Sequence, residues 1–326
     1  MADATVMDKV QKAIDDVNLS EPISAPVLAI GAAGIDVLGR QARDDPGADS
    51  VPGVVQRAPG GVARNIAESL AHLGLPVKLI SLVGSDGDGD WLLDATARAG
   101  VDVSLVQRSA ALPSPTYLAV HNHRGHMTAA VSDMRLCESL GDAHLQPLGD
   151  FIRGAAALVV DTNLTPSAMA WLAERRGAVP LFADAVSTAK ASRLQCLLGG
   201  IHTLKLNLPE ARALSERPRG DWQGCAEHLL EQGVQRVIVS LGEAGIGYSD
   251  ARQRVQKAAP RCPVDTDTGA GDALTAGLVA AWVRGLPLTA QLDYALACAG
   301  VTLRSATAVQ PALSVATVSA WIEEYL

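Results

Sequence analysis

Apolar runs of strand length alternate with segments of helical periodicity from residue 27 onward, and this alternation constrains the fold more than any other feature. The runs VKLISLVG (77–84) and AALVVDTN (156–163) have the composition of buried strands. The segments ARNIAESLAHLG (63–74) and DWLLDATARAG (90–100) carry apolar residues at the i, i+3 and i+4 spacing of amphipathic helices. Such alternation is typical of a mostly parallel sheet covered by helices on both faces. The sequence therefore predicts an α/β fold that binds ligands at the carboxyl ends of its strands.

Two segments interrupt the alternation with short strand-like runs. One is PGVVQRAPGG (52–61), and the other spans residues 114–134 and has a turn sequence, NHRG, at its centre. The second run predicts a β-hairpin. We expect strands from about 36–58 and 114–134 to form a small β-sheet lid over the ligand edge of the main sheet.

Residues 1–25 differ from the rest of the chain. Val6, Val10, Ile14 and Val17 fall at helical spacing and are followed by the helix-breaking segment LSEPISAP. The pattern predicts a short helical appendage ahead of a single domain that covers residues 26–326.

Composition excludes several classes of function. The chain has 326 residues, a formal net charge of −8 and only 3% aromatic residues, which disfavours a surface for nucleic acid. Its longest apolar stretch, ALTAGLVAAWV (273–283), is too short to cross a bilayer. The five cysteines are scattered, which is typical of a reducing compartment. We expect a cytoplasmic protein that binds neither nucleic acid nor membrane.

The stretch DTGAGDALTAG (267–277) puts a glycine-rich turn and a carboxylate, Asp272, at the start of an apolar helix. Backbone amides at Gly269, Ala270 and Gly271, with the helix dipole, predict an anion-binding site. Asp272 is then either a simple helix-start residue or the group that accepts a proton from an attacking hydroxyl during phosphoryl transfer. These residues alone leave both interpretations open. We expect the helix dipole to lower the pKa of Asp272.

Four motifs in a fixed order favour the second interpretation. PGGVARNIAESLAHLG (59–74) with LISLVGSDGDGDWLL (79–93), then NLPE (207–210), VIVSLGEAGIGY (237–248) and the GAGD stretch follow one another along the chain. Together they resemble the signatures of the PfkB (ribokinase-like) carbohydrate kinase family, over residues 27–326. The resemblance implies a ribokinase-like fold, a phosphotransferase activity on an alcohol group, ATP as co-substrate and Mg²⁺ as cofactor.

The resemblance also implies roles for the matching residues. Asp272 would be the catalytic base, and Gly269, Ala270 and Gly271 would form the anion hole. Sugar hydroxyls would be bound by Asp36, at the end of the first strand, and by Gly60, Gly61 and Asn65. Candidates for ATP binding are Lys205, Asn207, Ser240, Gly242, Gly245 and Gly271. Mg²⁺ would be held through water by Asn207 and Glu210.

The family often carries an aspartate six residues before the base, where it helps to bind a monovalent cation. This chain has Thr266 at that position and Asp267 one residue later. The resemblance therefore leaves potassium activation open.

Segments such as AAVSDMRL (129–136) and FADAVSTAK (182–190) are most similar to family members that phosphorylate the nucleoside pseudouridine. Polar residues near strand ends add Thr116, Asp133 and Asn163 as substrate-binding candidates. A kinase of another nucleoside or of a free sugar such as ribose or fructose stays open, as does a non-catalytic nucleoside sensor. Exposed apolar residues in the lid (Val54, Val55, Leu118 and Val120) predict a homodimer formed through it, and the alternative that they cover the substrate stays open.

Overall fold

A computed structural model describes residues 23–43, 50–305 and 307–326 of the chain. The predicted appendage at residues 1–25 lies almost wholly outside these described residues. None of the described helices is long and apolar enough to cross a membrane.

The described strands are β1 (Val27–Ile30), β2 (Gly34–Gln41), β3 (Gly53–Gly60), β4 (Val77–Ile80), β5 (Leu82–Gly84), β6 (Gln107–Ser109), β7 (Thr116–His121), β8 (Met127–Asp133), β9 (Ala157–Asp161), β10 (Leu181–Asp184), β11 (Thr203–Asn207), β12 (Arg236–Ser240), β13 (Ile246–Asp250) and β14 (Arg254–Lys257). The described α-helices are α1 (Val62–His72), α2 (Gly87–Arg98), α3 (Asp142–Leu145), α4 (Gly149–Arg153), α5 (Pro166–Arg175), α6 (Leu208–Leu214), α7 (Trp222–Glu231), α8 (Ala270–Val283), α9 (Leu288–Thr302) and α10 (Val315–Tyr325).

The central sheet has eight strands in the order β14-β13-β12-β11-β10-β9-β1-β4. Neighbours from β4 to β12 are parallel, whereas β13 and β14 are antiparallel. This arrangement confirms the predicted mostly parallel α/β fold. It also brings the carboxyl ends of β9, β10, β11 and β12 to one edge, where ligands bind in sheets of this kind.

Helices cover both faces of this sheet because its strands are apolar on both sides. In β1, Val27 and Ala29 pack in one cluster with α1, α8, α9 and α10. Leu28 and Ile30, which alternate with them, pack in the other cluster with α5, α6 and α7. The buried strand runs recognised in the sequence therefore form the centre of two hydrophobic layers.

A second sheet of four strands, in the order β3-β2-β7-β8, stands beside the first. β7 and β8 form the predicted hairpin, whose turn is closed by the amide of Gly125 donating to the carbonyl oxygen of Asn122 (2.9 Å). The sequence interpretation placed Asp36 at the end of the first strand. The structure corrects this: β1 ends at Ile30, and Asp36 lies inside β2 of the small sheet.

Strand register divides the small sheet into two faces, since successive side chains point to opposite sides. Asp36 pairs with Tyr117, and Arg40 pairs with Val54, so these residues share one face. The opposite face carries the apolar residues Val37, Val55, Leu118, Val120 and Val131. The apolar residues expected to form one surface are therefore split, with Val54 on the face of Asp36.

The small sheet is fastened to α2 at two points. Asp86, the N-cap residue of α2, accepts hydrogen bonds from the amide and hydroxyl of Ser114 (2.8 and 2.6 Å), just before β7. Arg57 on β3 forms an ion pair with Asp88 and lies 5.3 Å over the ring of Trp91. The position of the small sheet thus depends on the start of α2.

Candidate active site

The glycine-rich turn predicted at residues 269–271 forms the start of α8. Gly269 is the N-cap residue and has φ +82°, a conformation that favours glycine, and a Cβ there would collide with the carbonyl oxygen of Ala308. The amide of Ala270 donates to the carbonyl oxygen of Asp267 (3.3 Å). One of the three amides expected to bind an anion therefore already has a partner, and the helix start supplies the others.

Asp272 lies in the first turn of α8, half-buried beside α1. Its Oδ2 accepts a hydrogen bond from Nδ2 of Asn65 (2.9 Å), which joins two sequence motifs 207 residues apart. Burial and repulsion from Asp184 raise the pKa of Asp272 to about 7, against the Asn65 bond and the charge of Lys205. We expected the helix dipole to lower this pKa, and that prediction was wrong because the neighbouring carboxylate and burial outweigh it.

Asp184 belongs to the same cluster, although the sequence did not single it out. Its Oδ2 accepts hydrogen bonds from Nζ of Lys205 and from the hydroxyl of Thr275, both at 3.1 Å. Its Oδ1 accepts the amide of Val186 (2.9 Å), a β-branched residue with φ +62° that is strained in this turn. Asp184 is the last residue of β10, a buried strand of the parallel sheet. A carboxylate at the carboxyl end of such a strand is a candidate site residue, and this was the signal in the sequence that could have identified it.

Lys205 lies on β11 directly under the first turn of α8. A Cβ on Gly271 would contact its Nζ, so the glycine leaves room for the ammonium group. Burial lowers the pKa of Lys205, but the carboxylates of Asp184, Asp272 and Glu210 outweigh that effect and raise it. The lysine therefore remains charged beneath the predicted anion-binding turn.

Asn207 and Glu210 form a capping box at the start of α6. The amide of Glu210 donates to Oδ1 of Asn207, and the amide of Asn207 donates to Oε2 of Glu210, both at 2.8 Å. Burial raises the pKa of Glu210. The side chains thus fix each other at the ligand edge of the sheet, and each keeps further polar capacity for a ligand.

The described residues contain no group of three or more His, Cys, Asp or Glu side chains arranged to hold a metal ion directly. The carboxylates of Asp184, Glu210 and Asp272 nevertheless all act on Lys205. Mg²⁺ is usually held by one or two carboxylates together with water and phosphate oxygens. This donor set therefore fits Mg²⁺ bound through water.

The remaining ATP candidates lie on the neighbouring strand. Ser240 ends β12 and pairs in register with Asn207, and its hydroxyl donates to the carbonyl oxygen of Leu206 (3.3 Å). Gly242 and Gly245 flank the short turn that leads into β13. The structure thus groups Lys205, Asn207, Ser240 and this turn along one edge.

The sugar-binding candidates meet at the start of α1. A Cβ on Gly60 would overlap the Asp36 carboxylate, and one on Gly61, whose φ is +96°, would collide with the carbonyl oxygen of Ala32. Burial raises the pKa of Asp36, and Arg64 opposes the effect. The paired glycines therefore allow Asp36 to sit close to the helix that carries Asn65.

The other three substrate candidates lie on the small sheet and just after β9. Thr116 and Asp133 pair in register on the face of the small sheet opposite Asp36, and Asp133 forms a surface ion pair with Arg135 (2.7 Å). Asn163 is buried after β9, where its Oδ1 accepts a hydrogen bond from Lys190 (2.6 Å). Thr116 and Asp133 therefore do not share a face with Asp36. Asn163 lies at the ligand edge, where its backbone amide donates to Asp161 (2.8 Å), a carboxylate whose charge acts on Asp272.

A glycine-rich helix start, a carboxylate of near-neutral pKa in its first turn and a lysine beneath it are parts that phosphoryl transfer uses. The fold and the site thus define a kinase of ribokinase-like architecture. Residues 24–314 match the pfkB family of carbohydrate kinases, and the chain belongs to this family. Like that family, it is a phosphotransferase that acts on an alcohol group, as predicted.

Individual relatives agree with this assignment. The chain is 36% identical over 301 residues to the pseudouridine kinase of Escherichia coli K12, covering 91% of this chain and 96% of the relative. A carbohydrate kinase from Agrobacterium tumefaciens superimposes with a TM-score of 0.82 at 29% identity, covering 92% of this chain and 97% of that one. Arabidopsis thaliana ribokinase complexed with ribose and ATP has a TM-score of 0.83 at 20% identity, covering 92% and 99%, and shows a shared fold.

Proposed function

We propose that this enzyme transfers the γ-phosphoryl group of ATP to the 5′-hydroxyl of pseudouridine. The observation that carries the proposal is the hydrogen bond between Asn65 and Asp272, which places the candidate base beside the paired-glycine end of α1. The similarity to the Escherichia coli pseudouridine kinase supports the choice of nucleoside.

In this proposal Asp272 accepts the proton of the 5′-hydroxyl as the oxygen attacks the phosphorus. Its Oδ2 is engaged by Asn65, so we assign proton acceptance to Oδ1. A pKa of about 7 suits a base that works near neutral pH. The amides at the start of α8 and the charge of Lys205 then stabilise the negative charge that develops on the transferred group.

ATP would lie along the edge formed by Lys205, Asn207, Ser240 and the turn from Gly242 to Gly245. Mg²⁺, held through water by Asn207 and Glu210, would neutralise phosphate charge when bound. On the other side, Asp36 would accept hydrogen bonds from ribose hydroxyls.

Pseudouridine differs from uridine in carrying a free N1–H donor on its base. A site that pairs with this donor leaves a polar group unsatisfied when uridine binds. We therefore expect weaker action on uridine.

An ADP-release assay across pseudouridine, uridine, adenosine, ribose and fructose tests the proposal, with pseudouridine expected to give the highest kcat/KM. Equal turnover of pseudouridine and uridine, or a preference for a free sugar, would contradict it. Stabilisation by pseudouridine in thermal unfolding, without ADP release, would indicate a sensor instead.

We also propose that the small sheet is a lid that closes over the nucleoside, because Asp36 lies on one of its faces. Hydrogen exchange at residues 52–61 and 114–134 should then slow when pseudouridine binds. Unchanged exchange at saturating nucleoside would exclude a closing lid.

The opposite face of the lid supports a homodimer as the working assembly. Val55, Leu118 and Val131 share this face and are 70%, 41% and 63% exposed. Exposed apolar residues on one face of a sheet favour association with a second copy. All five cysteines are free, which supports our proposal that the enzyme works in the cytoplasm.

A further inference from the structure

Arg64 is a charged side chain that the fold buries beside the candidate base. It lies in α1 three residues after Gly61, and only 3% of the residue is exposed. A buried charge is strongly unfavourable unless other groups pair with it. Arg64 has such groups around it: it forms an ion pair with Glu68 one helical turn later, and its Nε donates to the hydroxyl of Thr96 on α2 (3.3 Å).

The remaining contacts of Arg64 lead to the site. Its Nη1 donates to the carbonyl oxygen of Pro59 at the end of β3 (3.0 Å) and to Oδ1 of Asn65 (2.9 Å). The Pro59 contact lies next to Gly60, against which the Asp36 carboxylate packs. The guanidinium group of Arg64 therefore contacts both the end of β3 in the small sheet and Asn65, the residue that donates to Asp272.

The contact with Asn65 decides which end of the amide faces Asp272. An amide side chain has a donor end and an acceptor end, whereas an arginine can only donate. Because Arg64 donates to Oδ1 of Asn65, the NH₂ group of Asn65 points the other way and donates to Asp272 (2.9 Å). Without Arg64, Oδ1 of Asn65 loses its donor, and among the described residues only the bond to Asp272 would then hold the amide in place.

We infer that Arg64 is a positioning residue for catalysis: it fixes the amide of Asn65, and Asn65 in turn holds the Asp272 carboxylate in the orientation that accepts the proton. The inference rests on the proposed function, because it takes Asp272 as the base. Arg64 itself touches neither Asp272 nor, in our proposal, the substrate. Its effect reaches the reaction through Asn65.

Several charged groups act on Asp272 together with this contact. Asp184 on β10 and Asp161 on β9 raise its pKa, while Lys205 on β11 and the Asn65 hydrogen bond lower it. The charge of Asp272 also acts on Arg64, as does that of Asp36. Loss of the Asn65 bond removes one of the interactions that favour the ionised form, so the pKa of Asp272 should rise further.

The test replaces the buried pair as a unit, with Arg64→Met/Glu68→Met, since apolar side chains of similar volume often substitute for a buried ion pair without loss of stability. We expect kcat to fall about 10–100-fold while the nucleoside KM changes much less, because the base is misplaced. The acid limb of the kcat/KM profile should also move to higher pH. A folded variant with the kcat and pH profile of the wild type would overturn the inference.

A matched control removes an ion pair at the far edge of the central sheet. Lys78→Met/Asp102→Leu breaks the pair between β4 and the segment that follows α2, and should leave kcat and the pH profile unchanged. If the double variant at Arg64 does not fold, Arg64→Lys keeps the charge beside Glu68 but loses the planar fork. It should lower kcat in the same way, and wild-type kcat in that variant would refute the inference.

The assay uses whichever acceptor the wild-type enzyme phosphorylates, so a different substrate overturns the choice of pseudouridine and leaves the Arg64 comparison intact. A crystal structure of the variant provides a readout that needs no turnover. The inference expects the Asn65 amide displaced and the Asp272 carboxylate rotated. An Asp272 side chain in its present place would contradict it.

Discussion

At the scale of single residues, the ionisation of Asp272 should control the pH dependence of the reaction. Only the ionised carboxylate can accept a proton, so we expect kcat/KM to fall about tenfold per pH unit below an apparent pKa near 7. Asp272→Asn should lower turnover about 10²–10⁴-fold and abolish this acid limb. Steady-state kinetics over a pH series, on the wild type and on Asp272→Asn, measures the turnover and the acid limb. Near wild-type turnover in the variant would leave Asp272 as a simple helix-start residue.

The same carboxylate should reduce stability once it ionises. Its pKa is raised above the ordinary value of 3.8, so an unfolded chain releases this proton first and stability falls as the pH rises from 3.8 to about 7. Asp272→Asn cannot ionise, and its Tm at pH 8 should exceed that of the wild type by about 2 °C or more, with the gap closing near pH 4. Asp150→Asn, at an exposed position, is the control and should show no such gap. An equal Tm at both pH values would contradict the raised pKa.

The sequence identified Asp272 and Asn65 but not the environment that they share. One stretch of the sequence is enough to recognise a glycine turn before a helix and to infer the helix dipole at that point. The opposing effect of Asp184 depends on which strands are neighbours in the sheet, and a single sequence does not contain that information. The roles of both residues stay predictions until the variants are measured.

At the scale of elements, α8 has a glycine of positive φ at each end. Gly269 (φ +82°) and Gly285 (φ +72°) differ in their surroundings: a Cβ at Gly269 meets Ala308, whereas one at Gly285 meets nothing within 4 Å. Gly285→Ala should therefore cost only about 1–2 kcal/mol of backbone strain. Gly269→Ala should cost about 1–3 kcal/mol more, from overpacking. Denaturant unfolding measures both, and equal losses would show that the collision at Gly269 is relieved.

Elements with their own local pattern were predictable, and elements defined by distant partners were not. The buried strands and amphipathic helices were recognised from the spacing of their apolar residues and from their composition alone. The predicted lid strands from about residue 36 include most of β2, but Asp36 was assigned to the first strand because GIDVLGRQ follows β1 after only three residues. The sequence predicted the small sheet itself, but the order and pairing of its strands depend on contacts between distant segments.

At the scale of the whole molecule, the exposed lid face should decide the assembly. A lysine at Val131, 63% exposed on β8, would bury a charge between two apolar faces, so Val131→Lys should convert a dimer to a monomer. Phe151→Lys, at an exposed apolar residue on α4, is the matched control and should leave the dimer intact. Sedimentation velocity distinguishes them, and a monomeric wild type would exclude the proposed homodimer.

The position of β1 in the central sheet has a consequence for synthesis on the ribosome. β1 lies between β4 and β9, and the amide of Ala32, just after β1, donates to Asp161, which is 129 residues later in the chain. Both edges of β1 are therefore paired only after β9 has been synthesised. Pairing over such separations is slow, and an unpaired apolar strand is prone to aggregate in the meantime. We therefore expect the nascent amino-terminal half to need protection from aggregation until β9 has been synthesised.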